Sequence, residues 1–253
     1  MIKSLGIIAV GLATLSAPSF AQQATAPAKL EAPASPALEA KALELAKILN
    51  SERIIIGNDK DNGKAVNMVK DLATASPALT RYSVKHPGFI EDLTITLMPV
   101  IDHYLRQRLP ELQKRQATLY AKHFTSNELT YLVDFYGSPT GQKMIEQMLL
   151  NMKSEAVLAE AKRSPDFNFS TESVMKDVRA TAPKVLQQLT AEDYKVLGEL
   201  SRHTAAPKLR HLGPQTQAIA LEWYQETAPG EDEAINAAIL TVFAKYEKPG
   251  AKK

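Results

Sequence analysis

FTSNELTYLVDFYGSPTGQKM, residues Phe124 to Met144, decides the fold, because its glycines, serine and proline suit either a phosphate-binding loop or a tight connection between two helices. Thr125 and Glu128 have the T-x-x-E spacing of a capping box, in which the threonine hydroxyl accepts from the glutamate N–H and the carboxylate reaches back to the threonine. Phe124 and Leu129 flank it as a hydrophobic staple. Leu129, Leu132, Val133 and Tyr136 then recur at helical spacing. Gly137 is expected to close that helix in the left-handed conformation. Ser138 is expected to cap the next helix, with Pro139 in its first position. Gly141 is expected to let the two helices approach closely at the corner.

A phosphate cradle at GSPTGQK would need glycine directly before the lysine, serine or threonine after it, and a strand leading in. Gln142 and Met144 stand in those places, and an amphipathic helix precedes the loop. A weak anion site near Lys143, at the free N–H groups of the helix that starts at Ser138, is the part of that idea that survives.

Phe124, Thr125, Glu128, Leu129, Leu132, Phe135, Tyr136, Ser138, Pro139, Gly141 and Lys143 resemble the signature of a bacterial secreted family catalogued as domain of unknown function 2059, over roughly Leu109 to Lys162. The resemblance implies a helical, exported protein. It assigns no activity, no cofactor and no catalytic residue.

Away from this corner, Lys3 precedes an uncharged apolar run from Leu5 to Leu15 that ends in Ser19-Phe20-Ala21. That is a signal-peptidase pattern, with cleavage expected after Ala21. An uncleaved anchor is the alternative, but the run is shorter than the roughly 20 apolar residues that span a bilayer. The chain has no cysteine, which excludes disulfides, thiolate metal sites and a lipidated cysteine. A periplasmic location is expected, with no integral membrane segment after signal removal. Without Lys3, the 30 basic residues become 29 against 28 acidic ones, so nucleic acid is not an expected partner.

The expected organisation is a signal peptide over 1–21, an Ala/Pro-rich flexible linker over 22–35, N-terminal helices over 36–108, the family-like hairpin over 109–165, a C-terminal helical region over 166–248 and a disordered tail over 249–253. Ser35-Pro36 opens a helix whose face carries Leu38, Leu45, Ile48 and Leu49, continuing toward Gly57. GNDKDNG, from Gly57 to Gly63, faintly resembles a calcium loop, but Lys60 would sit at a ligand position, which favours a polar turn. Val66, Val69 and Leu72 suggest a short second helix. A long helical run follows through Ile90, Leu93, Leu97, Ile101, Leu105, Leu112 and Tyr120. Kinks or short breaks are expected at its internal Pro99 and Pro110. Ile219 and Trp223 mark a later helix, and Glu231, Asp232 and Glu233 open a last one that Lys245 and Lys248 close.

Shifting the chain by 65 residues sets Leu189 to Leu209 against the opening stretch: Thr190 falls on Thr125, Asp193 on Glu128, Leu197 on Leu132 and Lys208 on Lys143. The corner itself is not repeated. Two readings stay open there, a degenerate second hairpin or two unrelated capped helices. The fold class is therefore all-α: helical hairpins packed as an irregular bundle, with two related hairpin copies as one possibility and no significant sheet.

Little points to chemistry. Asp102 and His103 are sequence neighbours and diverge on a helix. His86, His103, His123, His203 and His211 accompany no nucleophile elbow or zinc motif. Met144, Met148 and Met152 stack at four-residue spacing, which suits copper(I) but suits a core better, since Ile145 and Leu149 flank the same stripe. No catalytic, cofactor-binding or metal residue is expected, and no cofactor. The leading expectation is a noncatalytic periplasmic binding or interaction module whose partner is an unidentified envelope protein or an apolar small molecule. The alternatives are a small-molecule or lipid carrier with an apolar cavity, and a hydrolase whose site is not visible in sequence.

Overall fold

The computed structural model describes residues 35–56, 70, 76–164 and 169–247. All regular structure among them is helical, with no strand. Ser35 accepts from the Leu38 N–H at 3.3 Å, and Pro36 begins α1 (Pro36–Leu49), which buries Ala42, Leu45, Ala46 and Leu49. The helix does not continue toward Gly57. It stops at Asn50 (φ −128°, ψ 53°), and the chain restarts as the short α2 (Glu52–Ile55). The cause is tertiary: Asn50 is fully buried, its side-chain amide donates to the Ala46 carbonyl at 2.9 Å and to Gln116 Oε1 at 2.7 Å, and its own carbonyl accepts from Gln113 Nε2 at 2.8 Å. A buried amide must be paired in this way, and the helical path is given up to pair it. The polar turn at Gly57–Gly63, the helix suggested by Val66, Val69 and Leu72, and the segments 1–34 and 248–253 lie outside the described residues.

After α3 (Pro77–Lys85), capped by Ser76, Gly88 turns the chain at φ 87° into α4 (Phe89–His123), the 35-residue helix around which the others assemble. No break occurs at Pro99 or Pro110. The buried stripe Phe89, Leu93, Leu97, Ile101, Leu105, Leu109, Leu112, Gln116 and Tyr120 passes both prolines without a gap. Both prolines lie on the exposed side, as do Ile95 and Arg106, whose carbonyls lose their helical donors, so water can satisfy what the prolines leave open. Packing along the stripe then outweighs the local cost of roughly 3 kcal/mol for an interior proline.

Two helices flank this spine. The first, α1, lies along α4 and α5 (Ser126–Gly137), while α11 (Glu231–Glu247) runs antiparallel to the first half of α4. Asp92 meets Lys245 and Tyr246 at one end of the α4–α11 pair, and Arg108 meets Glu231 at 3.3 Å toward the other. Tyr82, Phe89 and Phe243 bring α3, α4 and α11 together in one aromatic cluster, with ring centroids 4.6 to 4.9 Å apart. The second half of the chain contributes α6 (Pro139–Asn151), α7 (Glu155–Ala161), α8 (Thr171–Gln187), α9 (Ala191–Arg202) and α10 (Ala205–Gln225), with α8 between α6, α7 and α10. Asp177 on α8 accepts from the Ala156 and Val157 N–H groups, capping α7 from another helix because Ser154 makes no side-chain cap bond. No described helix is long and apolar enough to cross a membrane.

Candidate functional site

At the Phe124–Met144 corner both halves of the capping box form. Thr125 Oγ1 accepts from the Glu128 N–H at 3.3 Å, and Glu128 Oε2 accepts from the Thr125 N–H at 2.8 Å. Phe124 and Leu129 are buried beside it, and Leu132, Val133, Phe135 and Tyr136 face the core.

Gly137 corrects the expectation. It is the last residue of α5 and is not left-handed, for the positive-φ glycines among the described residues are Gly88 and Gly230. The reversal belongs to Ser138 (φ −70°, ψ 161°), an extended conformation open to any residue. Ser138 donates from its backbone N–H to the Phe135 carbonyl at 3.1 Å and from Oγ to the same oxygen at 2.6 Å, while Oγ accepts from the Gly141 N–H at 3.2 Å. Pro139 then holds the first position of α6. The close approach falls at Gly141: a Cβ there would lie 2.1 Å from the Phe135 carbonyl oxygen and 2.7 Å from Tyr136 Cα. At Gly137 a Cβ would meet nothing within 4 Å. Gly137→Ala is therefore expected to leave the thermal midpoint unchanged or to raise stability by up to about 1 kcal/mol, glycine being the poorer helix residue. A lowered midpoint in a melting experiment would contradict the helical backbone at this position.

The anion site expected near Lys143 is already filled by the protein's own carboxylate. Asp193, at the start of α9, accepts from Lys143 Nζ at 2.7 Å and from Thr140 Oγ1 at 2.8 Å. Asp193 is also the fourth residue of a second capping box, accepting from the Thr190 N–H at 2.9 Å while Thr190 Oγ1 accepts from the Asp193 N–H at 3.3 Å. Conversely, Glu128 of the first box accepts from Lys208 Nζ on α10 at 2.7 Å.

These contacts set the electrostatics. The lysine, the Thr190 backbone and the two threonine hydroxyls hold the Asp193 carboxyl far below the usual carboxylate range. At Glu128 burial pushes upward, but the bonds from Lys208, Thr125 and Thr204 outweigh it and the net displacement is downward. A carboxylate whose pKa is depressed on folding contributes stability above its unfolded pKa, about 4, and that contribution drains away as pH falls toward the folded value. Lys143→Gln removes the largest cause at Asp193. The variant is expected to melt lower than the parent at neutral pH, and the gap should narrow steadily from about pH 4 downward. A gap independent of pH would separate the lysine from this carboxylate.

Among the described residues no three His, Asp or Glu side chains form a group able to hold a metal. His86 stacks on Tyr82, and His103 meets the ring of Tyr104. His203 lies flat on Tyr131, centroids 3.7 Å apart, and its Nδ1 accepts from the Ala205 N–H at 3.2 Å. Burial, then Lys122, His211 and Lys208, lower the pKa of His123. Met144 and Met148 are buried in the core, and half-buried Met152 ends α6. The Lys208–Glu128 and Lys143–Asp193 contacts were foreshadowed only by the recurrence of lysine at the same distance past each box. The cap at Asp177 carries no local signal.

Residues 110–162 match the family described as "Uncharacterized protein conserved in bacteria", domain of unknown function 2059, the family whose signature the corner resembles. That span holds the end of α4, the corner, and α5 to α7. No curated protein and no solved structure matches the chain.

Proposed function

We propose, for a chain whose centre matches an uncharacterised bacterial family, that it is a noncatalytic periplasmic module that binds a partner through apolar side chains left outside its core. The observation that carries this reading is the placement of Val84, Ile95 and Leu240, which are 78%, 62% and 67% exposed and stand on α3, α4 and α11, the helices joined by the Tyr82–Phe89–Phe243 cluster. Exposed apolar side chains that form a contiguous patch mark interaction sites, and these three stand on helices that touch one another.

The described carboxylates with displaced pKa values, Asp92, Glu128, Glu160, Asp193 and Glu226, are all displaced downward by ion pairs and caps. A carboxyl group that serves as general acid near neutrality requires the opposite displacement. The export pattern ending at Ala21 supports the compartment.

The test has two arms. Protein recovered from a periplasmic fraction should begin at Gln22, and a start at Met1 or a cytoplasmic location would refute the compartment. Chemical crosslinking in envelope extract should give a defined adduct that Ile95→Asp with Leu240→Asp abolishes while the melting midpoint holds. An adduct indifferent to both substitutions would refute the face.

A further inference from the structure

The geometry points to a self-recognition surface: the α5–α6 hairpin and the α9–α10 hairpin are two copies of one unit, and each copy's second-helix lysine closes the capping box of the other. This inference is independent of the proposed partner-binding face.

Register comes first. Helix α5 spans Ser126–Gly137 and α9 spans Ala191–Arg202, so both ends are displaced by the same 65 residues. The capping threonines adopt nearly one conformation, φ −77° and ψ 165° at Thr125 against φ −82° and ψ 169° at Thr190. So do the corner residues, φ −70° and ψ 161° at Ser138 against φ −71° and ψ 144° at His203. The corner motif changes from Gly-Ser-Pro to Arg-His-Thr while the corner residue keeps its extended dihedrals. Past it the copies diverge, since α6 starts at Pro139 under the Ser138 cap and α10 starts at Ala205 with no side-chain cap, and His203 Nδ1 accepts from the Ala205 N–H, the counterpart of Thr140 rather than of Gly141. Two unrelated capped helices would share a box. They would not share helix length, corner dihedrals and the position of a lysine beyond the corner.

Reciprocity comes second. Glu128 and Asp193 stand at the same place in their boxes, and Lys208 and Lys143 at the same distance beyond. Lys208 Nζ reaches Glu128 at 2.7 Å and Lys143 Nζ reaches Asp193 at 2.7 Å. A threonine joins each contact, Thr140 at Asp193 and Thr204 at Glu128, but the two stand at different positions in their copies, so the exchange is confined to the lysines and carboxylates. Residue i of one copy meets residue j of the other while j meets i, the mark of an isologous interface. The surface bearing Thr140 and Lys143 thus fits one kind of partner, another copy of the same hairpin, which this chain supplies from its own second half. The second copy lies beyond the 110–162 family match and has drifted: Tyr194 is 49% exposed where Leu129 is fully buried, and Ala206 takes the place of Gly141.

Native-state hydrogen exchange on the full-length protein tests the crossing. In Lys208→Gln the Thr125 and Glu128 amides, on the opposite copy, should exchange about tenfold faster or more, with the Thr190 and Asp193 amides unchanged. In Lys143→Gln the pattern should reverse. Lys208→Arg and Lys143→Arg, which keep the charge, should protect both caps as the parent does. Faster exchange confined to the substituted residue's own copy, equal acceleration at both caps, or arginine variants that behave like the glutamine ones would each overturn the assignment. Both lysines are partly exposed, their side chains 39% and 31% accessible, so the variants retain the core.

Discussion

Gly141→Ala is expected to destabilise the protein by about 3 kcal/mol or more, near the upper end of what overpacking a core costs. The added methyl would lie 2.1 Å from the Phe135 carbonyl oxygen, 2.7 Å from Tyr136 Cα and 3.0 Å from the Phe135 carbonyl carbon. All three are backbone atoms of the preceding helix, so no rotamer change can relieve the contact and the helices must move apart. Separation would also lengthen the Gln142 Nε2 bond to the Tyr136 carbonyl, now 2.6 Å, and loosen Met144 and Ile145, which are fully buried. For a chain of this size the melting midpoint should fall by roughly 6–12 °C. An unchanged midpoint would mean that the corner is more open than described, and it would remove the reason for glycine there.

Trp223→Ala should cost about 4 kcal/mol, the range for emptying the place of a buried tryptophan. Trp223 is 2% exposed on α10, and its indole N–H donates to the Arg108 carbonyl at 3.1 Å. The Arg108 guanidinium sits 4.9 Å from the ring centroid and donates back to the Trp223 carbonyl. Truncation therefore leaves both a void and an arginine that has lost its ring. Trp223→Phe keeps most of the volume and should cost much less, about 1–2 kcal/mol for the lost hydrogen bond and the residual gap. Urea unfolding of the two variants decides the matter: equal losses would show that the indole bond, rather than volume, holds α10 to α4.

What could be read in advance was local. The starts of α1, α5 and α6 follow from Ser35-Pro36, Thr125 with Glu128, and Ser138-Pro139, because a cap acts on amides within three residues of itself. The resemblance at residues 110–162 rests on that same local code. Gly137 misled because permission for positive φ is no requirement for it, and Ser138 makes the turn with ordinary dihedrals. At Pro99 and Pro110 the helix does not break, because the continuous buried stripe that passes them outweighs a cost that is purely local. The end of α1 at Asn50 and the cap of α7 by Asp177 depend on residues tens of positions away, and no window of sequence contains both partners. The crossed lysines were half legible: their spacing repeats, but which carboxylate each one seeks is a fact of three dimensions.

That crossing bears on how the chain matures. Lys208 stands 80 residues after Glu128, so in a chain that emerges N-terminus first the first hairpin is without its counter-charge until the later half has followed. Until then Thr125 alone serves the Glu128 carboxylate, water stands in for the lysine, and the site seals only once the later half arrives.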